Sequence, residues 1–235
     1  MRIAAVVQAR LSSQRLPGKV LQLVGGTPLI GLLLEGVTRC RRLDTVVIAT
    51  STDPSDDPLD SFAKSAGIGC FRGSLNNVGE RMLGAAASVG ADAFVRLNGD
   101  SPLLDPSLVD RAVDLFLDGP ADIVTNVWPR SFPKGQSVEV ISLAALTRTV
   151  PLMGLEDREH VTMHFYSHAD RYVIRSFTAD RPRPEVKLSV DEPADLRRCT
   201  AIVRLLGRPH WEAGWEECVR ASDELAAEGE GTWPA

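Results

Sequence analysis

The chain has 235 residues, 44% of them hydrophobic and 24% charged, with a formal net charge of -5. That length and balance suit a single soluble α/β domain with a sizeable core. An acidic chain of this kind is a poor partner for nucleic acid, which calls for clustered excess Lys and Arg, and no apolar run is long enough to span a bilayer.

The first half alternates strand and helix signals. The predicted strands are 3–8, 45–50, 68–71, 93–97 and 121–126, apolar without interruption rather than alternating. The predicted helices are 28–40 (Thr27 as N-cap, Pro28 first), 55–66, 77–89 and 106–117, three of them closed by Gly67, Gly90 and Gly119. Continuous apolar strands in a β-α-β-α rhythm predict a three-layer, Rossmann-like, mostly parallel sheet covered on both faces. The rhythm changes after Asn126. A polar, proline-bearing loop at 128–136 precedes a strand at 138–141 and a helix at 142–149. A helix at 156–168, strands at 171–178 and 185–190, and helices at 193–206 and 211–228 follow. The whole chain reads as one domain, with 126–180 as a small arm after the fifth strand.

The apolar run at the N-terminus breaks at Gln8 and Arg10, before a signal peptide's hydrophobic region could form. Cys40, Cys70, Cys199 and Cys218 make no CxxC pair and have no histidine at finger spacing. They read as reduced thiols, and a cytoplasmic location is expected.

Ligands of an open parallel sheet bind outside the carboxyl ends of its strands. Residues 9–19 stand there and carry Arg10, Arg15 and Lys19, with Pro17 to stiffen the loop and Gly18 to let the backbone approach an anion. Lysine as a point charge and arginine as a fork would cradle phosphates; a solvated basic connector is the plainer alternative. There is no G-x-x-x-x-G-K-[ST] and no G-x-G-x-x-G, which excludes a P-loop and makes dinucleotide oxidoreduction a poor fit.

Two carboxylates come next. RLNGDSPLLDP at 96–106 puts Asp100 on a tight turn at a strand end, and KLSVDEPADL at 187–196 puts Asp191 between a strand and a helix. Neighbouring strand-end aspartates could share one hard cation such as Mg²⁺. Taken singly, Asp191 is equally an N-cap and Asp100 an Asx-type turn.

QARLSSQRLPGK at 8–19 resembles the A-R-x-x-S-x-R-L-P-G-K loop of the cytidylyltransferases that activate sugar acids, nearest to the branch named for spore-coat polysaccharide biosynthesis protein F. G-D-S-P and the strand ending S-V-D resemble the same family. The resemblance covers about residues 1–205. It implies that Arg10, Ser13, Arg15 and Lys19 bind the triphosphate and base of CTP. It makes Asp100 and Asp191 the Mg²⁺ ligands and puts Arg96 and Asn98 near nucleotide or sugar. FPKGQSVEV at 132–140 resembles F-P-x-G-x-x-V-E-V, which makes Glu139 an acceptor-binding or positioning residue; as residues alone it could equally face outward. Relatives often carry Leu-Asp where this chain has Gln136-Ser137.

In DREHVTMHFYSH at 157–168, His160, His164 and His168 recur every fourth residue, on one face of the predicted helix with Glu156 or Asp157 a turn earlier. A zinc site is conceivable, but the HExxH glutamate is missing. R-E-H-V resembles the family, which assigns Arg158 and His160 to an acidic acceptor. Trp211 and Trp215 read as packing of the last helix, with Trp233 nearby in the tail.

Together these imply a nucleotidyltransferase: an acceptor oxygen attacks the α-phosphorus of CTP in line and pyrophosphate leaves, with Lys19, Arg15, Asp100 and Asp191 as the catalytic set. The resemblance also implies a homodimer. The rival readings are a nucleotide-sugar-dependent glycosyltransferase, whose D-x-D motif is missing, and a non-catalytic nucleotide-binding module.

Overall fold

The computed structural model describes residues 1–154, 157–158 and 160–229. Its centre is a seven-stranded sheet built from β1 (Ile3–Gln8), β4 (Thr45–Ser51), β5 (Gly69–Gly73), β6 (Ala93–Asn98), β7 (Ile123–Thr125), β8 (Glu139–Ser142) and β9 (Ile174–Ser176). The order is β5-β4-β1-β6-β8-β7-β9. β8 is antiparallel to both of its neighbours, and every other pairing in this sheet is parallel. β2 (Leu23–Val24) and β3 (Thr27–Pro28) form a separate two-residue hairpin.

Successive strand side chains point to opposite faces, so a strand apolar at every position needs cover on both. Ile3, Ala5 and Val7 enter one core with helices α1 (Leu29–Val37), α4 (Pro106–Leu117), α7 (Pro193–Leu206) and α8 (His210–Glu228). Ala4 and Val6 enter the other, with α3 (Val78–Ser88) and α5 (Leu143–Thr149). Each fully buried aliphatic side chain contributes about 1.5–3 kcal/mol, so this double cover holds the strand ends rigidly in place. Two further helices are α2 (Asp57–Ser65) and α6 (Met163–Ser167). Among the described residues no helix is long and apolar enough to cross a membrane.

The first-half elements lie where the pattern put them, within two or three residues at each end. Thr27 is an exception: it pairs with Val24 in the hairpin, and Pro28 takes the N-cap position of α1. The 185–190 stretch is also not a sheet strand. It is extended, with Val186, Leu188 and Val190 buried and the residues between them less so. Its backbone, however, pairs with loops: Lys134 N donates to Val186 O at 3.0 Å, Leu188 N to Lys134 O at 2.7 Å and Val190 N to Asp100 O at 2.9 Å. Gly135 permits this. Its φ is +98°, and an added Cβ would sit 2.7 Å from the Leu188 carbonyl carbon and the Ser189 nitrogen.

The 156–168 helix is broken. Asp157 and Arg158 are helical, His160 lies in a bend, and α6 is five residues long. Glu156 lies outside the described residues, as does Trp233. His160 therefore parts from the other two histidines. His164 is buried, shares a hydrogen bond between its Nδ1 and Asp157 Oδ2 at 2.9 Å and stacks on His168 at 4.3 Å. His160 is exposed and turns elsewhere. Trp215 packs edge-on against Phe132 in the core, and Trp211 sits under the Arg39 guanidinium.

Candidate active site

The loop after β1 is fastened from below. Leu11 N donates to Asp56 Oδ1 at 2.7 Å, while Asp56 Oδ2 accepts from Ser51 N at 3.2 Å and Ser51 Oγ at 2.5 Å. Asp56 is fully buried, and its second oxygen ties the loop to the end of β4. Gly18 takes a left-handed φ of +67° with nothing within 4 Å of where a Cβ would be. The glycine turns the chain here, with Gly18 N donating to Leu11 O at 2.9 Å, and the space beside it is open. The turn starts the short helix Lys19–Leu21 and aims Lys19 inward.

Lys19 Nζ donates to Asp100 Oδ2 at 2.7 Å, to the Val190 carbonyl at 2.9 Å and to Asp191 Oδ1 at 3.0 Å. Asp191 reaches this point from the end of the extended 186–190 segment. It is not the cap of α7: Glu192 holds the N-cap position, and Asp195 Oδ2 accepts from the backbone N–H groups of both Asp191 (2.9 Å) and Glu192 (3.2 Å). The Asp191 side chain is thereby left for Lys19 and, at 3.2 Å, for Lys187. Burial alone would lift the Asp191 carboxyl; hydrogen bonds and charge from Lys19 and then Lys187 outweigh it and hold the carboxyl below its usual range.

Three oxygens, two of them carboxylate, thus converge on one ammonium nitrogen. That donor set fits a hard divalent cation, which takes one or two carboxylates and completes its shell with phosphate oxygens and water. No group of three or more His, Cys, Asp or Glu that could hold a metal gathers among the described residues.

Around this point lies a cavity of about 580 Å³ whose wall includes Arg10, Ser13, Arg15, Lys19, Asp100 and Asp191. Arg15 is at its rim, with a side chain 64% exposed and 3.3 Å from Asp191. A pair that exposed adds little stability, so Arg15 can turn to a ligand at small cost.

A second cavity, of about 480 Å³, adjoins the first; Asn98 and His160 line both. Arg96 and Glu139 stand opposite each other in the β6–β8 register, and Arg96 NH1 meets Glu139 Oε2 at 2.6 Å. Tyr166 OH donates to Glu139 Oε1 at 2.5 Å and lies 2.9 Å from Thr125 Oγ1. Burial, then the Glu139 charge, push the Tyr166 phenol far above its ordinary value, so it stays a donor. Glu139 is 2% exposed with both oxygens engaged: it positions Arg96 and Tyr166. Trp128 stacks on Tyr166 with ring centres 5.6 Å apart, and Arg130 donates to Ser137 Oγ at 3.2 Å. Gln136 is fully buried; it accepts from Asp105 N at 2.9 Å and donates to Leu103 O at 2.6 Å.

The structure gathers Arg10, Ser13, Arg15, Lys19, Arg96, Asn98, Asp100, Glu139, His160 and Asp191 at these two cavities. Arg158 is not brought in. It is exposed, its backbone N donates to Gly154 O at 3.1 Å, and it lines neither cavity. Sequence reasoning missed Asp56, Trp128, Arg130 and Tyr166. Tyr166 reaches the cavity through its bonds to Thr125 and Glu139, contacts that no local spacing signals.

Comparison with known proteins gives one answer. The family model described as Cytidylyltransferase matches residues 4–205. The spore coat polysaccharide biosynthesis protein SpsF of Bacillus subtilis is 32% identical over 213 residues, covering 87% of this chain and 88% of that protein. A solved cytidylyltransferase from Leptospira borgpetersenii matches with a TM-score of 0.92 at 26% identity, over 100% of this chain and 99% of its own. The structure of CMP:2-keto-3-deoxy-manno-octonic acid synthetase complexed with CTP shares the fold, with a TM-score of 0.70 at 18% identity over 88% of this chain and 100% of its own. The chain belongs to the cytidylyltransferase family and is a nucleotidyltransferase that uses CTP.

Proposed function

We propose that this cytidylyltransferase moves CMP from CTP to an anionic sugar or related acidic acceptor and releases pyrophosphate. The observation that carries the reading is the junction of the two cavities at Asn98 and His160: one side is a cationic cradle, the other an aromatic and ionic pocket. The nucleotide takes the first. Arg10, Arg15 and Lys19 neutralise the β- and γ-phosphates, which stabilises pyrophosphate as it departs. Ser13 adds a hydroxyl to the same wall. Asp100 and Asp191 are the residues that would hold Mg²⁺, which when bound supplies Lewis-acid polarisation of phosphoryl oxygens. The acceptor takes the second cavity. Arg96, fixed by Glu139, orients it, and Asn98 and His160 sit where its nucleophilic oxygen meets the α-phosphorus. Positioning and electrostatics carry the rate, with no covalent enzyme intermediate.

The proposal includes a cytoplasmic homodimer joined through the 126–180 arm, where Leu152, Met163 and Val173 are large apolar side chains at least half exposed. Light scattering on the purified chain reads this directly, and a monomer at micromolar concentration rejects it. The main test is pyrophosphate release with each of four nucleoside triphosphates against a panel of acidic and neutral sugars. CTP with an acidic sugar is the combination expected to react. Release with neutral sugars alone would reject the acceptor reading.

A further inference from the structure

The acceptor cavity holds two features that the proposed function does not use. Trp128 lines it with its side chain 43% exposed. One indole face is covered by Tyr166, at 12° between ring planes, and Tyr166 is itself locked by Glu139 and Thr125. A large aromatic ring held rigid and left partly bare beside a polar pocket is a platform: its electron-rich face attracts the C–H edge of a flat apolar group. The second feature is the charge balance. Arg96 is matched by Glu139, whose side chain is 3% exposed. Arg130 also lines the cavity, and among the described residues it makes no ion pair. Two guanidiniums thus face the single Glu139 carboxylate, whose charge reaches Arg130 as well as Arg96, so the pocket carries one positive charge in excess, and the Arg130 fork suits a carboxylate.

Resting on the proposed transfer to an acidic sugar, we propose that Trp128 and Arg130 are the specificity-determining pair of the acceptor cavity. The indole carries the C–H face of a closed sugar ring, and the guanidinium holds that sugar's single carboxylate. An open-chain polyol acid has no flat face to lay on the indole. A phosphate monoester carries close to two negative charges at neutral pH, one more than this pocket offsets.

Saturation-transfer NMR on the whole protein tests this with four probes: glucuronate and glucose as ring acid and ring neutral, gluconate as open-chain acid, and glucose 1-phosphate as ring phosphate. Glucuronate should take up saturation at its ring protons at least about fivefold more strongly than each of the others. Trp128→Ala should lower that signal about fivefold, Trp128→Phe should keep about half of it, and Arg130→Gln should erase the preference for glucuronate over glucose. The proposal is overturned by equal signals from glucuronate and gluconate, by no signal from glucuronate, or by a signal that survives Trp128→Ala. Calorimetry with CTP on the same samples separates the failures. Loss of CTP binding in the unmodified protein would sink the nucleotide reading. CTP binding unchanged in every variant shows that the folds are intact, and the sugar signals then decide whether the pair sets specificity.

Discussion

The two cavities share a wall but are built in opposite ways. The proposed nucleotide side takes most of its lining from one stretch, residues 8–20, and its Lys19 and Arg15 pair directly with Asp100 and Asp191 at the edge of an open cavity. The proposed acceptor side collects residues from β6, the loop at 127–137, β8 and the segment 160–167, and the Arg96–Glu139 ion pair in its wall is buried between strands. A polyanion can be held by several charges on a short loop, because each needs only to be near. A sugar must be met in shape, and shape comes from surfaces that only tertiary packing brings together.

Substitutions should therefore separate the halves. Asp100→Ala should lower turnover about a thousandfold with the circular dichroism spectrum unchanged, since the side chain is partly exposed. Full divalent-dependent turnover in that variant would remove the carboxylates from the chemistry. Lys19→Ala should cost about a hundredfold in turnover and weaken CTP binding by calorimetry, with the acceptor's KM little changed. Glu139→Gln tests the other half. It leaves Arg96 without a countercharge and should cost about 2 kcal/mol in urea unfolding, raising the acceptor's KM while CTP binding holds. A variant that loses both ligands together would erase the contrast.

A smaller effect lies outside both cavities and serves as a control. Burial, opposed by Asp105, pushes the His210 imidazole down to about 4. The fold holds the imidazole neutral, and the unfolded chain binds the proton near pH 6.5, so stability is full above that pH and declines as pH falls toward about 4. Between pH 7 and 5.5 the loss should be about 1 kcal/mol, read from urea midpoints, and His210→Gln should flatten it. Neither ligand's affinity should follow this slope.

How far the sequence was legible follows the same division. The parallel strands were readable because unbroken apolar runs such as 3–8 have one explanation, cover on both faces. Arg10, Arg15 and Lys19 were readable because local spacing carries them. The 185–190 segment shows the limit: its extended period is written in Val186, Leu188 and Val190, but nothing in it says that its partners are Lys134 and Asp100. Arg158 and His160, two apart in sequence, looked inseparable, yet His160 lines both cavities and Arg158 neither. Trp128 and Tyr166 touch because the Tyr166 hydroxyl docks on Thr125 of β7, just upstream of Trp128, and on Glu139 of β8, and no local pattern encodes that contact. Asp56 sits in a run of aspartates that reads as surface.

The bond from Lys19 to the Val190 carbonyl joins residues 171 positions apart. On the ribosome, most of the chain must emerge before that lysine can meet its carbonyl or Asp191, even if the earlier strands have already paired. On the proposed site, a chain that has not yet exposed residues 190 and 191 has nowhere to seat Lys19, and a truncation before residue 190 should be inert rather than impaired.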